Sequence, residues 1–209
     1  MISAKSVVIA DLGVGNLRSV ARAVERAGGQ ATITADPDAL VRADRVIVPG
    51  QGAFRDCVVA LERGFGEALR TVIARGNPYL GLCLGMQLLF EESEEAPGRP
   101  GIAHFKGRVR RFSSDMRDAT SGERLKVPHM GWNTVRGNHA LLPQQDAWFY
   151  FVHSFYCQPE DPDVVVGTAE YGGPFCVAVG RDNVFACQFH PEKSQEEGHR
   201  LLQRFVGGA

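Results

Sequence analysis

The chain has 209 residues and a formal charge of −1, its 23 basic residues balancing 24 acidic ones. That length supplies one core of ordinary size without staples or metal, and the even charge argues against a nucleic-acid binder that works by bulk electrostatics. Five cysteines, an odd count without CxxC spacing, read as a reduced, cytoplasmic chain rather than a disulfide framework or zinc site. Met1 to Ser6 lead directly into an apolar strand with no signal peptide, and no apolar run nears the roughly 20 residues of a membrane span.

Residues 1–90 alternate in the βα manner. Residues 7–10 predict a buried strand, 13–16 a turn, and 17–27 a helix with Leu17, Val20, Ala21 and Val24 on one side, stopped by Gly28 and Gly29. A short strand over 31–34, an acidic turn over 36–38 and a strand over 45–48 follow, the last running into Pro49-Gly50-Gln51-Gly52. Residues 54–75 carry a helical pattern interrupted near Gly64 and Gly66 and closed by Pro78; a strand over 79–82 then meets Cys83 and a helix over 84–90. Continuous apolar strands separated by helices predict a mostly parallel sheet with helices on both faces.

Beyond Glu91 the rhythm changes. Residues 91–100 are acidic and rich in Pro and Gly, a loop between halves. Strands are expected over 105–112, 148–157, 164–170, 175–179 and 184–189, with hairpin turns at 171–174 and 180–183. Arg108, Arg110 and Arg111 read as a solvated strand face. Ser194 with Glu197 has the spacing of a capping box for a last helix reaching Phe205. The whole, residues 1–209, reads as one α/β domain with added antiparallel strands in its C-terminal half.

The chemistry gathers at Gly81-Leu82-Cys83-Leu84-Gly85. A strand turning directly into a helix holds its middle residue strained and exposed above the sheet, and glycines on both sides give that turn room. Backbone N–H groups of the new helix then face whatever the cysteine attacks. The same segment also suits a plain buried core cysteine. A base is available in Phe189-His190-Pro191-Glu192, where a strand ends in histidine and a carboxylate follows two residues on. Cysteine, histidine and carboxylate form the working set of covalent acyl transfer, and in an α/β sheet both elements end at the carboxyl edge where ligands bind. Gly13-Val14-Gly15 lacks the third glycine of a dinucleotide fingerprint, since position 18 is Arg. Gly50-Gln51-Gly52 fits better as a neighbouring strand end that supplies an oxyanion donor beside the Leu84 N–H, with an ordinary helix-starting turn as the alternative.

These motifs, with Lys126-Val127-Pro128-His129-Met130-Gly131-Trp132-Asn133 and Tyr150-Phe151-Val152-His153-Ser154, resemble the class I (triad) glutamine amidotransferases across nearly the whole chain. The block at Pro128–Asn133 is similar to the branch that forms glutaminase subunits of imidazole glycerol phosphate synthases. The resemblance implies a flavodoxin-like fold, no cofactor and no metal. It implies Cys83 as nucleophile, His190 as general base and acid, Glu192 orienting it, and Gly50, Gln51, Gly52 and Leu84 at the oxyanion hole. Gln87, His153, Ser154 and Phe155 are implied to hold L-glutamine. The implied partner is a (β/α)₈ cyclase subunit that receives the ammonia in a heterodimer, facing Asn16, Pro128, Met130, Trp132, Tyr150 and Lys193. Large apolar groups beside polar turns, as at Trp132 and Trp148, are independently what an interface core prefers. Strand alternation sends Trp148, Tyr150 and Val152 to the face opposite Phe149 and Phe151. Leu12, Gln51 and Phe155 depart from the family pattern without removing a chemical group, and Gln51 bears on the resting geometry of the oxyanion strand. Other glutaminases, a cysteine peptidase of similar build and an inactive binding subunit are the rival readings. The Pro128–Asn133 block opposes the first, and the intact Cys83, His190 and Glu192 oppose the last.

Overall fold

Short, wholly apolar strands build the centre of the sheet. The computed structural model describes residues 5–118 and 120–208; the start without a leader expected at residues 1–4 lies outside the described residues. Strands β1 (Ser6–Ala10), β2 (Gln30–Thr34), β3 (Val46–Gly50), β4 (Tyr79–Cys83) and, from the far end of the chain, β12 (Val184–Cys187) run parallel in the order β2-β1-β3-β4-β12. Every residue of β3, β4 and β12 is buried, as strands covered on both faces require.

Helices cover both sides. Val20 and Val24 of α1 (Leu17–Arg26) join Leu201, Leu202 and Phe205 of α6 (Gln195–Gly207) over Ile9, Ile47, Leu80 and Phe185. On the other face α2 (Pro37–Val41), α3 (Phe54–Ala60) and α4 (Gly66–Ala74) pack on Val46, Val48 and Tyr79. The expected break between the last two helices is a bend at Leu61–Phe65, where Gly64 adopts φ +103°. No described helix is long and apolar enough to cross a membrane.

From β12 the sheet continues antiparallel through β11 (Pro174–Arg181), β10 (Val165–Glu170), β7 (His129–Gly137) and β8 (Ala147–His153). A branch of β5 (Phe90–Ser93), β6 (Phe105–Arg111) and β9 (Phe155–Pro159) joins at β11. Both expected hairpin turns are present, between β10 and β11 and between β11 and β12, and Arg108, Arg110 and Arg111 are exposed on β6.

Four expectations change. The helix after Cys83 is only α5 (Leu84–Gln87); the chain has left it by Phe90, where β5 begins. Leu88, Leu89 and Phe90 are fully buried and the Leu88 and Leu89 carbonyls bond Ile102, His104 and Phe105; an unbroken apolar run carries no period to separate helix from strand. The strand expected over 148–157 is two, split at Ser154, because β8 pairs with β7 while β9 crosses to β6. Strand β7 was unforeseen, its period hidden by polar residues and by Gly131 at φ +136°. Ser194 does precede α6, but its side chain makes no cap bond.

The turn after β4 is packed to its limit. A Cβ on Gly85 would stand 1.8 Å from the Val48 carbonyl oxygen, whereas one on Gly207 would meet nothing within 4 Å. Gly85→Ala should therefore lower the urea-unfolding free energy by about 3 kcal/mol or more, while Gly207→Ala stays within about 0.5 kcal/mol of the parent.

Candidate active site

Cys83 closes β4 with φ 54° and ψ −102°. A non-glycine residue in that region costs on the order of 1–3 kcal/mol and persists only where its surroundings enforce it. Gly50 is its register neighbour on β3, so the strand ends lie side by side, and a Cβ on Gly50 would meet that of Leu84 at 2.6 Å. The thiol sits in the wall of a cleft of about 410 Å³ whose lining includes Gln51, Gly52, Leu84 and Gln87. His153, Ser154, Phe155, Pro128 and Lys193 border the same cleft.

His190 arrives from β12, adjacent to β4. Its Nδ1 lies 2.9 Å from Glu192 Oε1, both side chains nearly inaccessible, so the carboxylate fixes the proton on Nδ1. The imidazole Nε2 is buried with no partner of its own. Burial pulls this histidine's pKa down, but the Cys83 sulfur and the Glu192 carboxylate outweigh it and push it up to about 10. The Gln51 side-chain amide approaches the same Nδ1 at 3.4 Å. The other four cysteines are buried and free, and burial raises each thiol, Cys57 and Cys176 to about 12.

Three residues complete the site: Gln188 and Glu95, to which sequence reasoning gave no role, and Ser194, expected only as a helix cap. Gln188, fully buried, directs Nε2 to Cys83 Sγ at 3.4 Å while its Oε1 accepts from Gln87 Nε2 at 3.1 Å. Glu95 lines the cleft and accepts the Phe54 N–H that opens α3, at 2.9 Å; nothing set it apart from the other acids of residues 91–100. Ser194 donates to the His190 carbonyl at 2.6 Å and accepts the Tyr150 N–H at 3.0 Å, while His190 N–H bonds the Tyr150 carbonyl. The hydroxyl is spent on the His-Pro-Glu turn, and Gln195 at φ +48° leads the chain into α6 without it.

Beside the cleft, His129 and His153 face each other across β7 and β8, Nδ1 to Nε2 at 2.9 Å. Burial lowers their pKa values to about 4 and about 3. On the outer face of the same strands Trp132 meets Tyr150 edge to face at 6.1 Å, and Lys193 Nζ lies 5.8 Å from the Tyr150 ring centre. Met130 is 66% exposed and Trp148 60%, whereas Phe149 and Phe151 are fully buried, as strand alternation requires. Asn16 stands apart on the loop before α1, where it accepts the Ser19 N–H. Gly15 of that loop packs on the Gly50–Gln51 backbone.

A strained cysteine at a strand-to-helix turn, with a carboxylate-held histidine on the adjoining strand, equips the cleft for acyl transfer. The family model of class-I glutamine amidotransferases matches residues 8–208, and the chain belongs to that family. The imidazole glycerol phosphate synthase subunit HisH of Neisseria meningitidis serogroup B is 50% identical over 209 residues, covering 95% of this chain and 97% of its own. The protein of the same description from Syntrophotalea carbinolica is 50% identical over 204 residues, with 95% and 98% covered. A solved structure described as a glutamine amidotransferase shares the fold at a TM-score of 0.73 and 21% identity, over 96% of this chain and 98% of that one.

The charge states can be read by histidine NMR. His190 should keep its proton through neutral pH and lose it near pH 10, and Cys83→Ala should bring that titration down because burial is then opposed by Glu192 alone. His129 and His153 should stay neutral to below pH 5. The unfolded chain takes up those protons near the ordinary value of 6.5, so their share of stability is complete above it and is lost as pH falls toward 4. The urea midpoint should fall accordingly between pH 7 and pH 4.5.

Proposed function

We infer that this chain is the glutaminase subunit of an imidazole glycerol phosphate synthase, serving histidine biosynthesis. The observation that carries the chemistry is the buried Glu192–His190 pair with its unpartnered Nε2, set beside Cys83 at the edge of one cleft.

In this reading Gln87 and the backbone around His153, Ser154 and Phe155 hold L-glutamine with its carboxamide over the sulfur. The Cys83 thiolate attacks the carboxamide carbon, and the oxyanion that forms is met by the Leu84 N–H and the strand Gly50-Gln51-Gly52. His190 Nε2–H gives its proton to the departing nitrogen; ammonia leaves and a thioester remains. His190 then removes a proton from water, the resulting hydroxide attacks the thioester, and glutamate departs with Cys83 regenerated. Glu192 keeps the imidazole oriented and stabilises its charge.

The ammonia passes to a (β/α)₈ cyclase subunit, which forms imidazole glycerol phosphate and an aminoimidazole carboxamide ribotide. The patch of Trp132, Tyr150, Met130, Pro128 and Lys193 supports that docking, because Pro128 and Lys193 line the cleft while Met130 and Trp132, exposed on β7, and Tyr150, which packs against Trp132 and Lys193, extend an aromatic surface from it. Asn16 would be a separate partner contact, on the loop whose Gly15 packs on the oxyanion strand. Five unpaired cysteines support a cytoplasmic setting.

Cys83→Ala should abolish glutamine hydrolysis, a loss of at least about 10⁴-fold in kcat, with folding and partner binding kept. A glutamine-analogue electrophile should label Cys83 alone; labelling of Cys57 or Cys187, or hydrolysis by the alanine variant, would refute the assignment. For the partner, Trp132→Ala should weaken binding by roughly thirtyfold, about 2 kcal/mol, in titration calorimetry against the cyclase. Unchanged affinity with an unchanged circular dichroism spectrum would remove Trp132 from the interface.

A further inference from the structure

An unbroken path of hydrogen bonds runs from strand β7 to Cys83, and its direction is fixed by its middle. The Phe155 carbonyl can only accept, so the 2.7 Å contact from His153 Nδ1 is an N–H donor. Burial keeps both imidazoles neutral, which leaves a lone pair on His153 Nε2. The 2.9 Å contact there is then donated by His129 Nδ1–H. His129 Nε2, now an acceptor, takes a bond from Asn133 Nδ2 at 3.3 Å, and the second N–H of that amide goes to the Glu170 carbonyl at 2.9 Å. The Asn133 oxygen accepts the Thr134 N–H, which forbids the flipped amide.

On the cleft side, the Phe155 carbonyl also accepts Gln87 Nε2 at 3.4 Å, and Gln87 bonds Gln188, which reaches Cys83 Sγ. Gln87 Oε1 is buried and unpaired. His129 itself has no freedom to wander: Phe151 stacks on it with ring centres 4.8 Å apart, Tyr171 lies at 4.1 Å, and Phe112 presents an edge.

We propose that His129 is a positioning residue for glutamine. Through His153 it sets the Phe155 carbonyl and, with that carbonyl, the Gln87 amide, whose free oxygen is left to accept an N–H of the bound substrate. This rests on the glutaminase reading. Because His129 lies on the strand that also carries Met130 and Trp132 outward, displacement of β7 reaches the Phe155 carbonyl through two hydrogen bonds and the Gln87 amide through a third.

The test is inactivation of the full chain by 6-diazo-5-oxo-L-norleucine, a glutamine analogue that alkylates the nucleophile, read as an affinity KI and a limiting rate kinact. His129→Phe fills the same space but leaves His153 Nε2 a buried acceptor without a donor. It should raise KI about tenfold with kinact within about threefold. His129→Asn, whose amide N–H replaces Nδ1–H, should return KI to within about threefold of the parent. A merely structural role would lower the fraction of chain labelled and leave KI unmoved. KI unchanged in a folded His129→Phe, or an asparagine variant as impaired as the phenylalanine one, overturns the proposal. Should His129→Phe fail to fold, Asn133→Leu is read instead: a raised KI supports the path and an unchanged one refutes it. A parent chain that the analogue does not label at Cys83 refutes the glutaminase reading rather than the role of His129.

Discussion

The close approach of three backbones around Cys83 is the constraint on which the rest depends. Strand β4 must turn into α5 within one residue while lying against β3, and only glycine at positions 81 and 85 leaves space for the Gly85 and Val48 carbonyls that crowd there. The left-handed φ of Cys83 is the price of that turn. It is sustained because β4 is central in the sheet, hydrogen-bonded to β3 and β12 and buried along its whole length. A surface loop with the same sequence would relax, and the sulfur would swing away from its neighbours.

The histidine is delivered by topology rather than by local sequence. Strand β12 is the last parallel strand before the sheet turns antiparallel at β11, so the chain leaving it emerges beside the end of β4. There it is caught from the other side by β8, whose Tyr150 backbone bonds both His190 and the Ser194 hydroxyl. A short turn held at both ends keeps the imidazole against Glu192. The strand that holds it also carries the aromatic face on its outer side, and the inner side carries Phe149 and Phe151 into the core.

Most of this was legible from residue type and spacing. The βα alternation, the break at Gly64, the two late hairpins and the strained cysteine are all local signals, and each appears in the fold. What escaped was set by tertiary pairing. The run from Leu88 to Phe90 is apolar at every position, so whether it continued a helix or joined β6 was decided by the carbonyls of Leu88 and Leu89 finding partners in residues 102–105. Ser194 carried a convincing cap spacing, yet its hydroxyl bonds the backbone of His190 and Tyr150. Gln188 gave no sign of a role, because an amide inside an apolar strand end is only interpretable once the sulfur 3.4 Å away is visible. Gln51, noted as a departure, does reach the imidazole.

Both tryptophans of the chain lie on the β7–β8 hairpin, and both are exposed, Trp132 by 43% and Trp148 by 60%. The cross-strand register puts Trp132 opposite Tyr150 and Trp148 opposite Thr134, on the same side of the hairpin. The hydrophobic cores contain phenylalanine and tyrosine but no indole. Intrinsic tryptophan emission is therefore a built-in optical probe of one face: red in the free chain, shifted to the blue when that face is covered, and nearly blind to events in the parallel half of the sheet.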